Sequence, residues 1–229
     1  MQTRSSDAPP IIWFAETGPC TRMLEKSLRP LLSRSEKQRL NNIRHPRKFR
    51  EYITSRSLIR HVFCHYPELS NQAWNITEQL NAAPRVTHPA KNISLSISHS
   101  QNLIAVTVSE MYLGVDIEYR KPRHNMAALT SGFMTTAEQL RYATLSEEEQ
   151  QDFFYRCWCA KEALYKLHNV LKMKKVPIEK ICTISEEHQK QGLHLILKKL
   201  DNYNCQLALA SQQAVTDVQY NFVSEFTFI

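Results

Sequence analysis

No run of apolar residues in this chain approaches the roughly 20 that a membrane-spanning helix needs, which argues against a helical membrane protein. The opening stretch MQTRSSDAPPIIWFAE lacks the sustained apolar core of a signal peptide, because Glu16 comes soon after Phe14, so a cytoplasmic protein is expected. The six cysteines, Cys20, Cys64, Cys157, Cys159, Cys182 and Cys205, include no C-x-x-C pair and none of the dense spacing of a disulfide scaffold, so reduced thiols are expected. The spacing His61-x-x-x-His65 sets two imidazoles on one helical face, as zinc sites do, but the Glu of H-E-x-x-H and a clear third ligand are missing. Glycine is scarce, at four residues, and the two halves share no residue-level repeat.

What is present is 42% apolar residues in 229, enough for a substantial core in one large domain or two small ones. The net charge of +7 is unevenly placed: Arg22 to Arg60 holds twelve Lys and Arg against Glu25, Glu36 and Glu51. A basic region of this kind attracts the phosphates of a nucleic acid or a nucleotide cofactor, or an acidic protein. No helix-turn-helix, zinc or RNP signature accompanies the charge, which disfavours nucleic acid.

Residues 22–65 read as helix, broken at Pro30, with an amphipathic stretch from Pro46 to Tyr66 on which Phe49, Tyr52, Ile53, Leu58, Val62 and Phe63 fall near helical spacing. Ile93 to Ser98 alternates strictly with period two, and Leu103 to Val108 is apolar and β-branched, which predicts two strands joined by a turn over His99 to Asn102. A third strand, Tyr112 to Tyr119, sets Leu113, Val115 and Ile117 on one face and Gly114, Asp116 and Glu118 on the other. Residues 125–170 read as helical, with FFYRCWCAKEALYKL free of internal Gly and Pro. Short strands are expected near 181–185, 193–197, 206–210 and 218–229. Helices and then strands, twice over, predict an α+β chain of two comparable lobes, residues 1–120 and 121–229, with the break at Arg120 to Arg123 where Pro122 interrupts regular structure.

Two groups of residues carry chemistry. Asp116 and Glu118, at i and i+2 on a strand, point to the same side, and two adjacent carboxylates that repel one another suit a divalent cation. Their all-oxygen chemistry favours magnesium, which fills its remaining positions with water and phosphate. On the later helix Trp158, Glu162 and Lys166 share a face at i, i+4 and i+8. Glu162 has the chemistry of a metal ligand or a general base, and Lys166 that of a phosphate partner. Taken singly, the first pair also reads as a solvated strand edge, and Glu162 with Lys166 as a surface pair worth about 0.2 to 0.5 kcal/mol.

Combined and in this order, Ser98-His-Ser100, Gly114-Val-Asp-Ile-Glu118 and Trp158-Cys-Ala-Lys-Glu-Ala-Leu-Tyr-Lys166 resemble the three motifs of the surfactin-synthetase type of 4'-phosphopantetheinyl transferases, over residues 35–166. The resemblance implies a monomeric, cytoplasmic α+β enzyme with a pseudo-twofold pair of similar lobes and coenzyme A bound between them. It implies Mg-dependent transfer of phosphopantetheine from coenzyme A to a serine of an apo acyl, peptidyl or aryl carrier protein, with release of adenosine 3',5'-bisphosphate. Carried over by motif, Asp116, Glu118 and Glu162 bind magnesium, Glu162 is also a base for the carrier serine, and Asp116 and Lys166 complete the catalytic set. Ser98, His99, Lys161 and Lys166 match coenzyme A contacts, and Lys37, Arg39, Arg47 and Arg56 lie where the family keeps cofactor-binding cations.

The chain departs from the family where Ala83-Pro-Arg85 replaces a Gly-Lys-Pro element, which leaves Arg85 as the substitute cation. Cys159 fills a position usually held by a small residue and reads as packing. Glu138 matches a family glutamate expected to support structure near the site. The length fits the fused two-lobed form rather than the short single-lobed synthases that form trimers, and the basic surplus suits an acidic carrier by electrostatic steering.

Overall fold

The computed structural model of the chain describes residues 9–18, 21–66, 74–79, 83–89, 91–171, 173, 177–181, 183 and 192–228. Cys20, Cys182 and most of the strand expected at 181–185 lie outside them. The architecture is α+β, as the pattern of elements predicts. The chain divides into two compact units, residues 1–110 with 216–229, and residues 111–215. The boundary expected at Arg120 to Arg123 therefore moves. The strand Leu113–Tyr119 pairs along its whole length with Cys205–Ser211, so it belongs with the second unit, while the C-terminal strand belongs with the first.

The first unit contains a four-stranded sheet built from β1 (Ile11–Glu16), β4 (Ser94–Ser100), β5 (Leu103–Ser109) and β9 (Gln219–Val223), in the order β4-β5-β1-β9. β1 is antiparallel to β5 and parallel to β9. β1 adds to the strands expected from sequence, and its run IIWFAE, β-branched and aromatic, carries the strand signal. A separate ribbon joins β2 (Asn75–Thr77) to β3 (Arg85–Thr87). The helices are α1 (Thr21–Leu28), α2 (Arg34–Asn42) and α3 (Pro46–Cys64), with Pro30 in a 3-10 turn at the predicted break. Pro46 opens α3, and the His45 ring accepts the Arg47 N–H as its cap.

α3 is less amphipathic than its sequence suggests, being buried on all sides from Tyr52 to Phe63. Leu58, Ile59, Val62 and Phe63 pack into the sheet cluster with Trp13, Ile104 and Val106, while Tyr52 and Ile53 meet Leu28, Leu32 and Leu40. The two buried arginines of the helix, Arg56 and Arg60, are satisfied internally. Arg60 donates to both oxygens of the fully buried Glu36, at 2.7 and 3.1 Å, and Arg56 donates to Glu78. Glu78 also accepts from Tyr52 Oη and Arg39, each at 2.8 Å. Glu36 closes a capping box at Ser33 that starts α2.

His61 and His65 lie side by side on α3 with ring centroids 4.5 Å apart. Both rings are engaged by backbone: His61 Nδ1 takes the Thr227 N–H at 3.0 Å, and His65 Nδ1 lies 2.8 Å from the His61 carbonyl. Among the described residues no three His, Cys, Asp or Glu side chains form a metal-ligand cluster.

The second unit contains an antiparallel sheet of β6 (Leu113–Tyr119), β7 (His194–Leu200) and β8 (Cys205–Ser211), in the order β6-β8-β7. Its helices are α4 (Met126–Thr130), α5 (Thr136–Ala143) and the long α6 (Glu147–Val170). The acidic first turn of α6 complements the helix dipole, and Glu149 accepts the Ser146 N–H at 2.9 Å. Cys159, Ala163, Leu164 and Leu167 pack onto Ala208 and Ala210. A second cluster joins Phe133, Met134, Tyr142, Phe154 and Tyr155. No helix among the described residues is long and apolar enough to cross a membrane.

Removing one member of the buried ion pair strands the other charge. Glu36→Ala is therefore expected to lower unfolding stability by about 3 to 5 kcal/mol, read as a drop in the urea midpoint.

Candidate active site

The G-x-D-x-E strand and the W-x-x-K-E-x-x-x-K helix meet face to face. β6 presents Gly114, Asp116 and Glu118 to α6, and the contact is close enough that a Cβ on Gly114 would sit 2.0 Å from the Ala163 carbonyl oxygen and 2.8 Å from the Leu167 nitrogen. Only glycine permits that approach. With the backbones this near, the helix face runs antiparallel along the strand. At one end the Trp158 indole N–H donates to Glu118 at 3.1 Å. At the other, the Lys166 ammonium donates to Asp116 at 2.8 Å and to the Val115 carbonyl at 3.0 Å. Cys159, fully buried, donates its S–H to the Asp116 carbonyl at 3.2 Å, and burial holds its thiol well above the ordinary range. It packs and is no nucleophile.

Asp116 is only 4% exposed, so the solvated-edge alternative does not hold for it. Glu162, half-buried on the same helix face, has its pKa raised above the ordinary 4.5, first by burial and then by the Asp116 charge, against a smaller lowering by Lys166. Two acids that feel each other beside one ammonium make an all-oxygen anionic site whose donors suit a hard cation. As they stand, Asp116, Glu118 and Glu162 are not gathered around one point, since Lys166 and Trp158 hold two of them. The residues thus fit magnesium in chemistry and number, in the manner of an ion that takes few protein carboxylates and relies on phosphate and water for the rest.

Trp158 owes its aim to the aromatic cluster. Its ring stands edge-on to Phe133, with centroids 4.9 Å apart at 87°. Lys161, expected to contact coenzyme A, is placed elsewhere. It is wholly buried, pairs with Glu138 at 2.7 Å and donates to the Ile178 and Ile181 carbonyls. Five residues before Lys166, at about 100° per residue, Lys161 lies about 140° round the helix from it, so it anchors structure through Glu138. Glu138 also accepts from Thr183 N and Oγ1, at 2.7 and 2.6 Å, and closes the capping box that starts α5.

In the first unit the sequence-predicted cations separate into two groups. Arg56, 4% exposed, is spent on Glu78 and Glu36, and Arg39 reaches Glu78, so Arg56 is corrected from a cofactor contact to an internal brace. Arg47 and His99 converge instead on Glu51, a carboxylate absent from the sequence-predicted site: it accepts Arg47 Nε at 2.7 Å and stands 3.9 Å from His99 Nδ1. Glu51 lies one helical turn from Arg47, and that i, i+4 spacing is the signal that could have found it. β4 runs to Ser100, and the turn is confined to Gln101 and Asn102, with Gln101 at φ 53. His99 is thus an exposed strand residue beside buried Ser98, not part of the turn. Lys37 is half-buried on α2, and Arg85 is exposed on β3.

Residues 112–216, almost the whole second unit, match the model of the 4'-phosphopantetheinyl transferase superfamily. Over 190 residues the chain is 24% identical to the 4'-phosphopantetheinyl transferase HetI of a Nostoc species, covering 81% of this chain and 80% of that protein. It is 30% identical over 122 residues to the transferase AcpT of Escherichia coli, covering 53% of this chain and 58% of that one. To the transferase psf-1 of Bacillus pumilus it is 25% identical over 142 residues, covering 62% and 60%. The match to the 4'-phosphopantetheinyl transferase superfamily thus lies in residues 112–216, and the relatives named are themselves 4'-phosphopantetheinyl transferases.

Gly114→Ala is expected to push α6 off β6, abolishing the Lys166–Asp116 and Trp158–Glu118 contacts; a crystal structure with those distances unchanged would show the close approach to be unimportant. Burial alone would raise the pKa of Glu138, but hydrogen bonds from Lys161, Thr183 and Thr135 hold it below 4.5. Its contribution is therefore present above pH 4.5 and lost as pH falls through its lower folded value. Glu138→Gln should cost stability at pH 7 and progressively less as acid denaturation is tracked below pH 4.5.

Proposed function

We propose that the chain transfers 4'-phosphopantetheine from coenzyme A to a serine of an apo acyl, peptidyl or aryl carrier protein, releasing adenosine 3',5'-bisphosphate, and that it is of the surfactin-synthetase type. The observation that supports this most directly is the joining of Asp116, Glu118, Glu162 and Lys166 on one strand–helix contact. Three acids and an ammonium, with no nucleophilic thiol among them, suit phosphoryl transfer to an external hydroxyl better than covalent catalysis.

In the reaction the serine Oγ forms a bond to the β-phosphorus of coenzyme A, and the bond from that phosphorus to the oxygen bridging the α- and β-phosphates breaks. The electron pair leaves with adenosine 3',5'-bisphosphate. Glu162 takes the serine proton, directly or through a water, and its raised pKa makes it a better acceptor than an ordinary glutamate. Lys166 neutralises phosphate charge as it builds on the leaving group. Asp116, Glu118 and Glu162 would hold magnesium, which when bound supplies charge neutralisation to the pyrophosphate oxygens. In the first unit, Arg47 and His99, gathered at Glu51, are the groups assigned to a coenzyme A phosphate, with Ser98, Lys37, Arg39 and Arg85 as further contacts. An acidic carrier, a monomeric enzyme and a cytoplasmic setting complete the proposal.

The test is mass spectrometry of an apo carrier incubated with the enzyme, coenzyme A and magnesium. The wild type is expected to add one phosphopantetheine, and Glu162→Gln to lose most turnover. The acid limb of the wild-type kcat/KM profile should sit above pH 4.5, because Glu162 must be deprotonated to act and burial raises its pKa. Full turnover by Glu162→Gln at saturating magnesium would remove Glu162 from the role of base.

A further inference from the structure

Just past Glu118, three cations from three elements converge on one carboxylate. Asp152 of α6 accepts from Arg120 at 2.9 Å at the end of β6, lies 2.6 Å from Lys199 of β7 and 3.9 Å from Arg156 one turn along its own helix. One negative charge against three positive leaves a surplus, and Arg156 and Lys199 are about half exposed. Lys121, Arg123 and Lys198, exposed beside them, carry the same sign. Among the described residues the buried Nε of Arg120 has no hydrogen-bond partner, a donor that the internal pairing leaves unused.

The segment bearing these charges is held in place. The buried Tyr155 hydroxyl donates to the Lys121 carbonyl at 2.8 Å and accepts from Lys121 N at 3.2 Å and Arg123 Nε at 3.1 Å. Asn204, in the left-handed conformation at φ 46, clamps Arg120 from the other side: its side-chain amide donates to the Arg120 carbonyl at 2.7 Å, and its own carbonyl accepts the Arg120 N–H at 2.8 Å. Ordinary surface lysines and arginines lose side-chain and loop entropy when they bind; here the backbone share is removed in advance. The array begins two residues beyond Glu118 and two before Trp158, so it flanks the catalytic contact along both chain directions.

We infer that Arg120, Lys121, Arg123, Arg156 and Lys199 form the docking surface for an acidic segment of the acceptor protein. This deepens the proposed transfer reaction and rests on it. Around the largely buried Arg120, 18% exposed, the array is exposed and spread over the end of β6, α6 and β7, the form of a surface that meets another protein's carboxylates and sets encounter rate and register. A small anion would call for a closed pocket.

The decisive experiment uses the full chain with Lys121→Glu/Arg156→Glu, both exposed and neither in the catalytic contact, against an apo carrier of net negative charge. The expected result is a carrier KM raised at least tenfold, with kcat and the coenzyme A KM unchanged and the salt dependence of carrier KM flattened. Lys199→Gln, which removes one charge without reversal, should give a smaller shift in the same direction, and biosensor binding of a Ser→Ala carrier should weaken in parallel. An unchanged carrier KM in both variants would overturn the inference, as would an equal rise in the coenzyme A KM, which would assign the cations to the cofactor. Failure of the wild type to modify any carrier would instead refute the transfer reaction itself, so the two failures are distinguishable.

Discussion

The second unit depends on a missing methyl group. Gly114 lets a helix backbone lie against a strand backbone at a distance no other residue allows, and the site depends on that contact. Rows of side chains on a strand and on a helix have different repeats, about 6.6–6.8 Å for alternate strand residues and about 6 Å per i+4 step of a helix. They stay nearly in step over two steps. Trp158 therefore falls opposite Glu118, Glu162 level with Asp116 and Lys166 level with Gly114, from where its long side chain reaches back to Asp116. The small residues Ala163, Ala208 and Ala210 extend the same flat contact across the sheet. The glycine is the geometric condition on which the acids of the motif can meet the helix at all.

In the first unit the governing constraint is different. The stretch of α3 that is buried on every side carries two arginines, Arg56 and Arg60, and burying a guanidinium is tolerable only with carboxylates to receive it. Glu36 and Glu78 do so, and because they come from α2 and from the residue after β2, the network also fixes how those elements meet α3. Arg47, near the start of the same helix, stays at the surface where burial has not yet begun.

That contrast explains what the sequence could and could not reveal. Local period decides which face a side chain occupies, so the pairing of Asp116 with Glu118 and the stripe of Trp158, Glu162 and Lys166 were legible, as were the α+β class and most elements. Partners distant in the chain were not. Arg56 and Arg47 look alike in sequence, and only the position of Glu78, 22 residues on, separates brace from exposed cation. Lys161 and Lys166 stand in the same motif, but one is turned toward Glu138 and the other toward Asp116. The domain break was misplaced because Pro122 signals the end of a strand and says nothing of which sheet that strand joins.

The pairing of β1 with β9 gives the chain an order of assembly. The second unit is continuous in sequence, and its strands and helix find their partners within residues 111–215. The first unit's sheet is interrupted by that whole stretch, and its strand β1 receives its parallel neighbour only from residues 219–223. On a ribosome, the unit that holds the acids can close while β1 still has an open edge, which is covered only once residues 219–223 have emerged. Ring stacking of Phe14 on Phe222, 4.7 Å apart, marks that final step. The long-range closure also makes the first unit the slower one to fold.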